Sequence, residues 1–262
     1  MFPYALSTIL YDQKPLEAAL RDFKATGFNQ IELWAESVHL DPRYIADVPG
    51  AVKAVRESGL ICHSVHAPFT KLGFGSSDPA KVAETQKWLL KTLEICSELE
   101  SPFVVIHPIN TTEGLEHESA VPLLMNSFGV LADRAEQLGV QILVESLPWA
   151  PKPLDSLAGL NELFTDQRIG LCLDVAHAFL NGYDIIDEIN VAPERLYSSH
   201  ISNNNGQEDT HSNIFDGLID MRRVLRRYAE LPHVTPVLEI INLEDQERAL
   251  EEVRQTMVEL KL

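Results

Sequence analysis

Short apolar runs alternate with amphipathic stretches along the whole chain, and this alternation predicts its secondary structure. Short runs rich in Ile, Leu and Val are typical of buried strands, whereas apolar residues three and four positions apart indicate one face of a helix. The runs that predict strands are Tyr4–Leu10, Gln30–Trp34, Leu60–His66, Pro102–His107, Val140–Glu145, Ile169–Asp174, Leu196–Ile201 and Pro236–Ile240.

Amphipathic segments separate these runs and predict helices. They are Pro15–Thr26, Val48–Ser58, a long helix that begins at Asp78, Val121–Leu138, Leu154–Phe164, Ile185–Asn190, Leu218–Tyr228 and a closing helix striped by Leu250, Val253, Met257 and Leu260. Eight strand and helix pairs without a linker predict an α/β fold, a (β/α)8 TIM barrel in which residues 1–262 form a single catalytic domain. An open doubly wound sheet is the alternative, but no glycine-rich phosphate loop follows any predicted strand.

Polar residues that can bind metal stand at or near the ends of seven predicted strands. They are Glu32, His66, His107, Glu145, Asp174, His200 and Glu239. In a barrel these strand ends meet at one rim, where active sites are built. Burying several carboxylates together is costly unless cations compensate their charge. The pattern therefore predicts a divalent metal site at the rim.

Further polar and aromatic residues near these ends complete the predicted site. His177 follows Asp174 by three positions, and a loop after the seventh strand carries Asp209 and His211. Two groups are assigned to the substrate side: Glu32, which can also act as a hydrogen-bond partner behind the metal ligands, and the rings of Trp34 and Trp149, which can stack on a sugar. Strand alternation turns His63 away from His66, toward the helix layer.

Composition narrows the class of partner and the compartment. The 262 residues carry a formal charge of −18, which opposes binding to a nucleic-acid backbone and favours a small-molecule substrate. There is no apolar run long enough for a membrane span and no signal-peptide pattern at the N-terminus, so we expect a cytoplasmic protein. Three cysteines lie inside apolar segments, as reduced core residues do. A homo-oligomer is compatible with this composition.

The motifs together resemble the xylose isomerase-like TIM-barrel superfamily, which includes the endonuclease IV family (AP endonuclease family 2) and sugar phosphate isomerases and epimerases. The stretch 170–185, GLCLDVAHAFLNGYDI, is similar to the endonuclease IV pattern GxCxDxxHAFxxGYD. His66-Ala-Pro68, Val105-Ile-His107-Pro108 and Leu143-Val-Glu145 also resemble superfamily strand ends. The resemblance covers nearly the whole chain in motif order.

Endonuclease IV enzymes bind three zinc ions, and the resemblance implies a candidate here for each of their nine ligands. The implied groups are His66, His107 and Glu145 for one ion, Glu145, Asp174, His200 and Glu239 for a second, and His177, Asp209 and His211 for a third. The isomerases and epimerases need one manganese, cobalt or magnesium ion, held by residues like the second group. The resemblance alone therefore leaves the reaction open.

We favour a zinc-dependent hydrolase that cleaves a phosphodiester in a small phosphorylated, nucleotide-like or cofactor substrate such as a cobamide. Glu145, Glu239 and His177 are its expected catalytic residues. The alternative is a sugar or sugar-phosphate isomerase or epimerase, in which Glu145 and Glu239 exchange a proton. An abasic-site DNA endonuclease is third, because Gly217 alone survives from the nuclease's GxG pattern and its DNA-penetrating elements have no match.

Overall fold

A closed barrel of eight parallel strands forms the centre of the computed structural model, which describes residues 3–45, 47–76, 78–109, 120–241 and 245–259. Each strand pairs with its sequence neighbours, and β1 closes the barrel against β8. The strands are β1 Ala5–Ser7, β2 Gln30–Trp34, β3 Ile61–His66, β4 Phe103–Ile106, β5 Gln141–Glu145, β6 Ile169–Asp174, β7 Leu196–Ile201 and β8 Thr235–Leu238. The predicted TIM-barrel fold is confirmed.

Helices surround the barrel and bury their apolar faces against it. They are α1 Leu16–Ala25, α2 Ser37–Leu40, α3 Val48–Ser58, α4 Pro79–Glu98, α5 Ala120–Leu138, α6 Leu157–Leu163, α7 Val175–Leu180, α8 Ile185–Val191, α9 Met221–Tyr228 and α10 Gln246–Glu259. Within the described ranges, no helix combines the length and apolar composition that crossing a membrane requires. The three cysteines are free and buried, as predicted. Leu260, assigned to the closing stripe, lies outside the described residues.

The first strand is shorter than the apolar run Tyr4–Leu10 predicts. It ends at Ser7, and Thr8–Tyr11 forms a turn of 3-10 helix. The hydroxyl of Thr8 accepts a hydrogen bond from the backbone N–H of Trp34 at 2.9 Å, which holds the turn across the barrel mouth. Because every residue of the turn is buried, its apolar pattern is the same as that of a strand.

Two register shifts change which side chains enter the barrel. One lies between β2 and β3, where Ile31 pairs with Cys62 but Glu32 pairs with Ser64, so His63 is an extra residue. The His63 ring lies 5.3 Å from the ring of Phe103, which packs on the interior cluster of the lower barrel. The prediction that His63 faces the helix layer was therefore wrong, because a bulge breaks strand alternation.

The second shift, between β6 and β7, has the same effect on Tyr197. Leu171 pairs with Leu196 and Cys172 pairs with Ser198, so Tyr197 is an extra residue without a partner in β6. Its ring stacks on Phe103 at 5.5 Å. The barrel interior below the polar residues of the mouth is consequently filled by three packed rings, those of His63, Phe103 and Tyr197.

Candidate metal centre

The strand ends bring six of the predicted ligands together at the barrel mouth. His66, Glu145 and Asp174 are the last residues of β3, β5 and β6, and His200 is the second last of β7. The other two, His107 and Glu239, directly follow β4 and β8. Five of these side chains are almost completely buried and that of His107 is 11% exposed, so their charges are poorly screened by water.

One carboxylate oxygen joins the first group of ligands. Glu145 Oε2 lies 3.2 Å from His66 Nε2 and 3.1 Å from His107 Nε2. The other nitrogen of His66 is 3.0 Å from the carbonyl oxygen of Ala67, so in the neutral ring Nδ1 donates and Nε2 keeps its lone pair. The ring of Phe69 stacks on His107 with centroids 4.2 Å apart. Both imidazole rings thus present Nε2 to Glu145.

The second group surrounds the inner nitrogen of His200. His200 Nδ1 lies 3.3 Å from Glu145 Oε1, 3.2 Å from Glu239 Oε2 and 4.0 Å from Asp174 Oδ2. Its Nε2 lies 3.2 Å from Glu32 Oε2 and donates there. Nδ1 then faces three carboxylates with a lone pair, a repulsive arrangement unless a proton or a cation lies between them.

Asp174 shows how the local sequence positions this group. Its Oδ1 accepts a hydrogen bond of 2.7 Å from the backbone N–H of His177 and so caps the first turn of α7. Its Oδ2 accepts no hydrogen bond from any described residue, nor does Glu239 Oε2. Asp174 therefore has two roles: Oδ1 caps the start of α7, and Oδ2 remains available to the site.

The third group consists of His177, Asp209 and His211. Asp209 Oδ2 lies 3.1 Å from His177 Nε2 and 3.3 Å from His211 Nε2. Each ring is fixed through Nδ1, which lies 2.9 Å from the carbonyl of Ser146 in His177 and 3.1 Å from that of Glu239 in His211. Both rings consequently direct Nε2 at the same carboxylate.

The electrostatics of the mouth call for added positive charge. Burial raises the pKa of Asp174 to about 6, and neighbouring Glu145 and Glu239 add to this effect against the opposing charge of His177. Burial lowers the pKa of His177, but Asp174 and Asp209 outweigh it and raise the pKa to about 10. These pKa shifts favour protons beside the carboxylates, and a divalent cation bound there would have to displace them.

Among the described residues, three sets of ligand atoms lie close enough to hold metal ions, with all atoms of a set within 4.8 Å of one another. The sets are His66, Glu145 and His200; Glu145, Asp174, His200 and Glu239; and His177, Asp209 and His211. The second and third equal the groups implied by the resemblance. In the first, His107 contacts Glu145 without joining the set. Histidine nitrogen and carboxylate oxygen are the usual ligands of zinc.

The three residues expected to contact substrate have different surroundings. Glu32 is fully buried beneath His200 and accepts a hydrogen bond from Ser64 Oγ at 2.8 Å, a position that suits a hydrogen-bond partner of a ligand. Trp34 packs on His66 with centroids 4.3 Å apart and lines the metal pocket, whose volume is about 280 Å³. Trp149 is 62% exposed and lies outside the walls that the described residues give this pocket.

Sequence reasoning did not select Phe69, which lines the metal pocket. Its ring contacts Trp34, His66 and His107 at centroid distances between 4.2 and 5.8 Å. The available signal was its place directly after the His-Ala-Pro strand end, since residues just beyond barrel strands line the mouth.

The fold is a TIM barrel whose mouth carries clustered histidines and carboxylates that could hold metal ions. Residues 20–259 match the model of the family described as xylose isomerase-like TIM barrel, so the chain belongs to this family. It is 29% identical to a probable endonuclease 4 of Persephonella marina over 137 residues, which are 51% of this chain and 47% of that protein.

Two solved structures show the extent of the shared architecture. A D-tagatose 3-epimerase-like protein superposes with a TM-score of 0.82 at 20% identity, over 99% of this chain and 98% of its own. A protein from Thermus thermophilus, described as soaked with ZnCl2, superposes with a TM-score of 0.69 at 27% identity, over 98% of both chains. The chain therefore shares sequence with a probable endonuclease 4 and its fold with a D-tagatose 3-epimerase-like protein.

Proposed function

We propose that this protein is a zinc-dependent hydrolase of a phosphodiester in a small phosphorylated or nucleotide-like molecule. The observation that carries the proposal is the third ligand group, in which His177 and His211 both direct Nε2 at Asp209. A one-metal isomerase has no use for this group, whereas a hydrolase with clustered zinc does. The zinc-soaked relative and the probable endonuclease 4 support the same metal and reaction class.

Zinc at this centre would supply a water of lowered pKa and compensate charge on the phosphoryl oxygens. Glu145 spans the first and second groups, with Oε2 toward His66 and Oε1 toward His200, and so sets the spacing between them. Glu239, whose Oε2 accepts no hydrogen bond from the described residues, is placed to orient the attacking water and take its proton. His177 connects the third group to the helix cap at Asp174.

A sugar isomerase or epimerase is the second candidate. Glu145 and Glu239 both approach His200 Nδ1, at 3.3 and 3.2 Å, and two carboxylates beside one cation are what proton exchange at a sugar carbon requires. The D-tagatose 3-epimerase-like protein shares the fold. Abasic DNA remains the third candidate, since the formal charge of −18 opposes a phosphate backbone.

Metal content and one pair of variants distinguish these functions. We expect two or three zinc ions per chain after purification without chelator, and loss of diesterase activity in His211→Ala. The control is His233→Ala, because this exposed histidine lies in the loop before β8, at the opposite end of the barrel, where it bonds the carbonyl of Pro193. One exchangeable manganese or cobalt ion, with sugar isomerase activity that survives in His211→Ala, would overturn the hydrolase proposal.

A further inference from the structure

A second and larger cavity adjoins the metal pocket. Its volume is about 480 Å³, against about 280 Å³ for the metal pocket. The two cavities are adjacent, because both are lined by the apolar residues Ile9, Trp34 and Ile241. We call this cavity, whose outer walls include Tyr44 and Lys71, the side groove. A molecule bound at the metal centre has room for a second part there.

Three acidic residues line the side groove, Asp12, Glu36 and Asp41, and the last two form hydrogen bonds that shape it. The guanidinium of Arg43 bonds Asp41 at 2.6 Å and Glu36 at 2.9 Å. Glu36 also accepts hydrogen bonds from the backbone N–H groups of Phe69 at 3.1 Å and Thr70 at 2.8 Å. This network joins the loops after β2 and β3. It leaves these two carboxylates no free capacity to attract a cationic ligand.

Tyr44 and Lys71 are the groups that the side groove offers to a ligand. The side chain of Tyr44 is 75% exposed, and the Arg43 guanidinium lies 5.3 Å from its ring centroid. Arg43 is itself held by its ion pairs, so the Tyr44 ring is backed by a fixed group. Lys71 is exposed and makes no ion pair within the described part of the chain. An aromatic face and a free ammonium group therefore flank the groove.

We propose that the side groove binds a planar, nucleoside-like ring of the substrate, and that this ring stacks on Tyr44 while its phosphodiester lies at the metal centre. The inference rests on the proposed function for the reaction at the metals. A flat ring fits an exposed tyrosine face better than a non-planar sugar, since stacking gains from the whole π-surface. Lys71 supplies local positive charge for an anionic substrate in a chain whose formal charge is −18.

The experiment compares two diesters that differ only in the ring. They are thymidine 5′-(methyl phosphate) and its analogue without the base, both assayed with zinc-loaded protein by phosphorus NMR. We expect Tyr44→Ala to raise KM for the thymidine diester about tenfold with kcat unchanged, because stacking binds ground state and transition state alike. Tyr44→Phe should retain the wild-type KM. Phe215→Ala is the matched control, because this exposed aromatic residue also has an arginine, Arg222, 4.9 Å from its ring centroid and lies outside the lining of both cavities.

Calorimetric titration of the thymidine diester into the same proteins separates failure of this inference from failure of the proposed function. Tyr44-dependent binding without turnover of either diester would overturn the hydrolase and support the groove. Turnover of both diesters with equal KM, or with the same KM in wild type and Tyr44→Ala, would support the hydrolase and overturn the groove. A preference for the diester without the base would also overturn it.

Discussion

Replacement of Glu32 tests whether a residue beneath the metal centre sets its zinc affinity. Glu32 Oε2 accepts hydrogen bonds from His200 Nε2 at 3.2 Å and Ser64 Oγ at 2.8 Å. Glu32→Gln keeps an oxygen acceptor but loses the charge, whereas Glu32→Ala leaves both donors unpaired. Because loss of such a partner weakens metal binding by about 10–100-fold, we expect about tenfold for Gln and about a hundredfold for Ala.

Competition with a chromophoric chelator at neutral pH measures these zinc dissociation constants. Ser64→Ala is the control, since it removes one hydrogen bond to Glu32 and leaves the pairing with His200 in place. Its zinc affinity should stay close to that of the wild type. Wild-type affinity in Glu32→Ala would refute the reasoning, and equal losses in Glu32→Ala and Ser64→Ala would assign the effect to core packing instead of the imidazole.

Three other predictions follow from the described side chains. Burial lowers the pKa values of His177 and His211, but neighbouring carboxylates outweigh it and raise them to about 10 and about 9. Zinc must therefore displace protons from these rings, and its affinity should rise with pH. Calorimetry in buffers of different ionisation enthalpy counts the protons released, and a count of zero would contradict this expectation. Burial lowers the pKa of His63 to about 4, below the value of about 6.5 in an unfolded chain, so the folded state loses about 2 kcal/mol between pH 7 and pH 5. His63→Phe should remove that loss in urea titrations, and an unchanged pH dependence would count against it. Gly170→Ala places a Cβ 2.7 and 2.8 Å from two side chains and should lower the free energy of unfolding by about 1–3 kcal/mol. Gly129→Ala, whose Cβ would have nothing within 4 Å, should raise it by about 0.5–1 kcal/mol in the same titrations. An unchanged free energy of unfolding in Gly170→Ala would show that the barrel interior relaxes around the added methyl group.

The sequence predicts the barrel and the clustering of histidines and carboxylates at its mouth because both depend on local signals. Apolar runs between amphipathic helices specify parallel strands, and the ends of parallel strands meet at one rim. Glu145 and Asp174 end their strands where the apolar runs end. His177 was found because the cap on α7 fixes its distance from Asp174 within four residues of chain.

The remaining features depend on contacts between segments far apart in the chain. The inward position of His63 requires the register of β2 against β3, which no pattern within either strand records. Tyr44 reads as an ordinary loop residue, and its place beside the metal pocket follows from the Arg43 network that links two loops. Trp34 and Trp149 are both expected to stack on substrate because each lies at a strand end, but Trp149 is 62% exposed and lies outside the lining of the metal pocket.

The hydrogen bonds on the outer nitrogens of the site histidines have a practical consequence for metal exchange. Four imidazole rings, those of His66, His177, His200 and His211, are held through the ring nitrogen that faces away from the candidate metal positions. The acceptors are the carbonyl oxygens of Ala67, Ser146 and Glu239 and the carboxylate of Glu32. The ligand positions are therefore set before an ion arrives, so binding needs little rearrangement of the protein. At a site fixed in this way, the ion that binds depends both on its fit to the ligand geometry and on its supply in the cell. Cultures supplemented in turn with zinc, manganese and cobalt are accordingly the starting point for work on its chemistry.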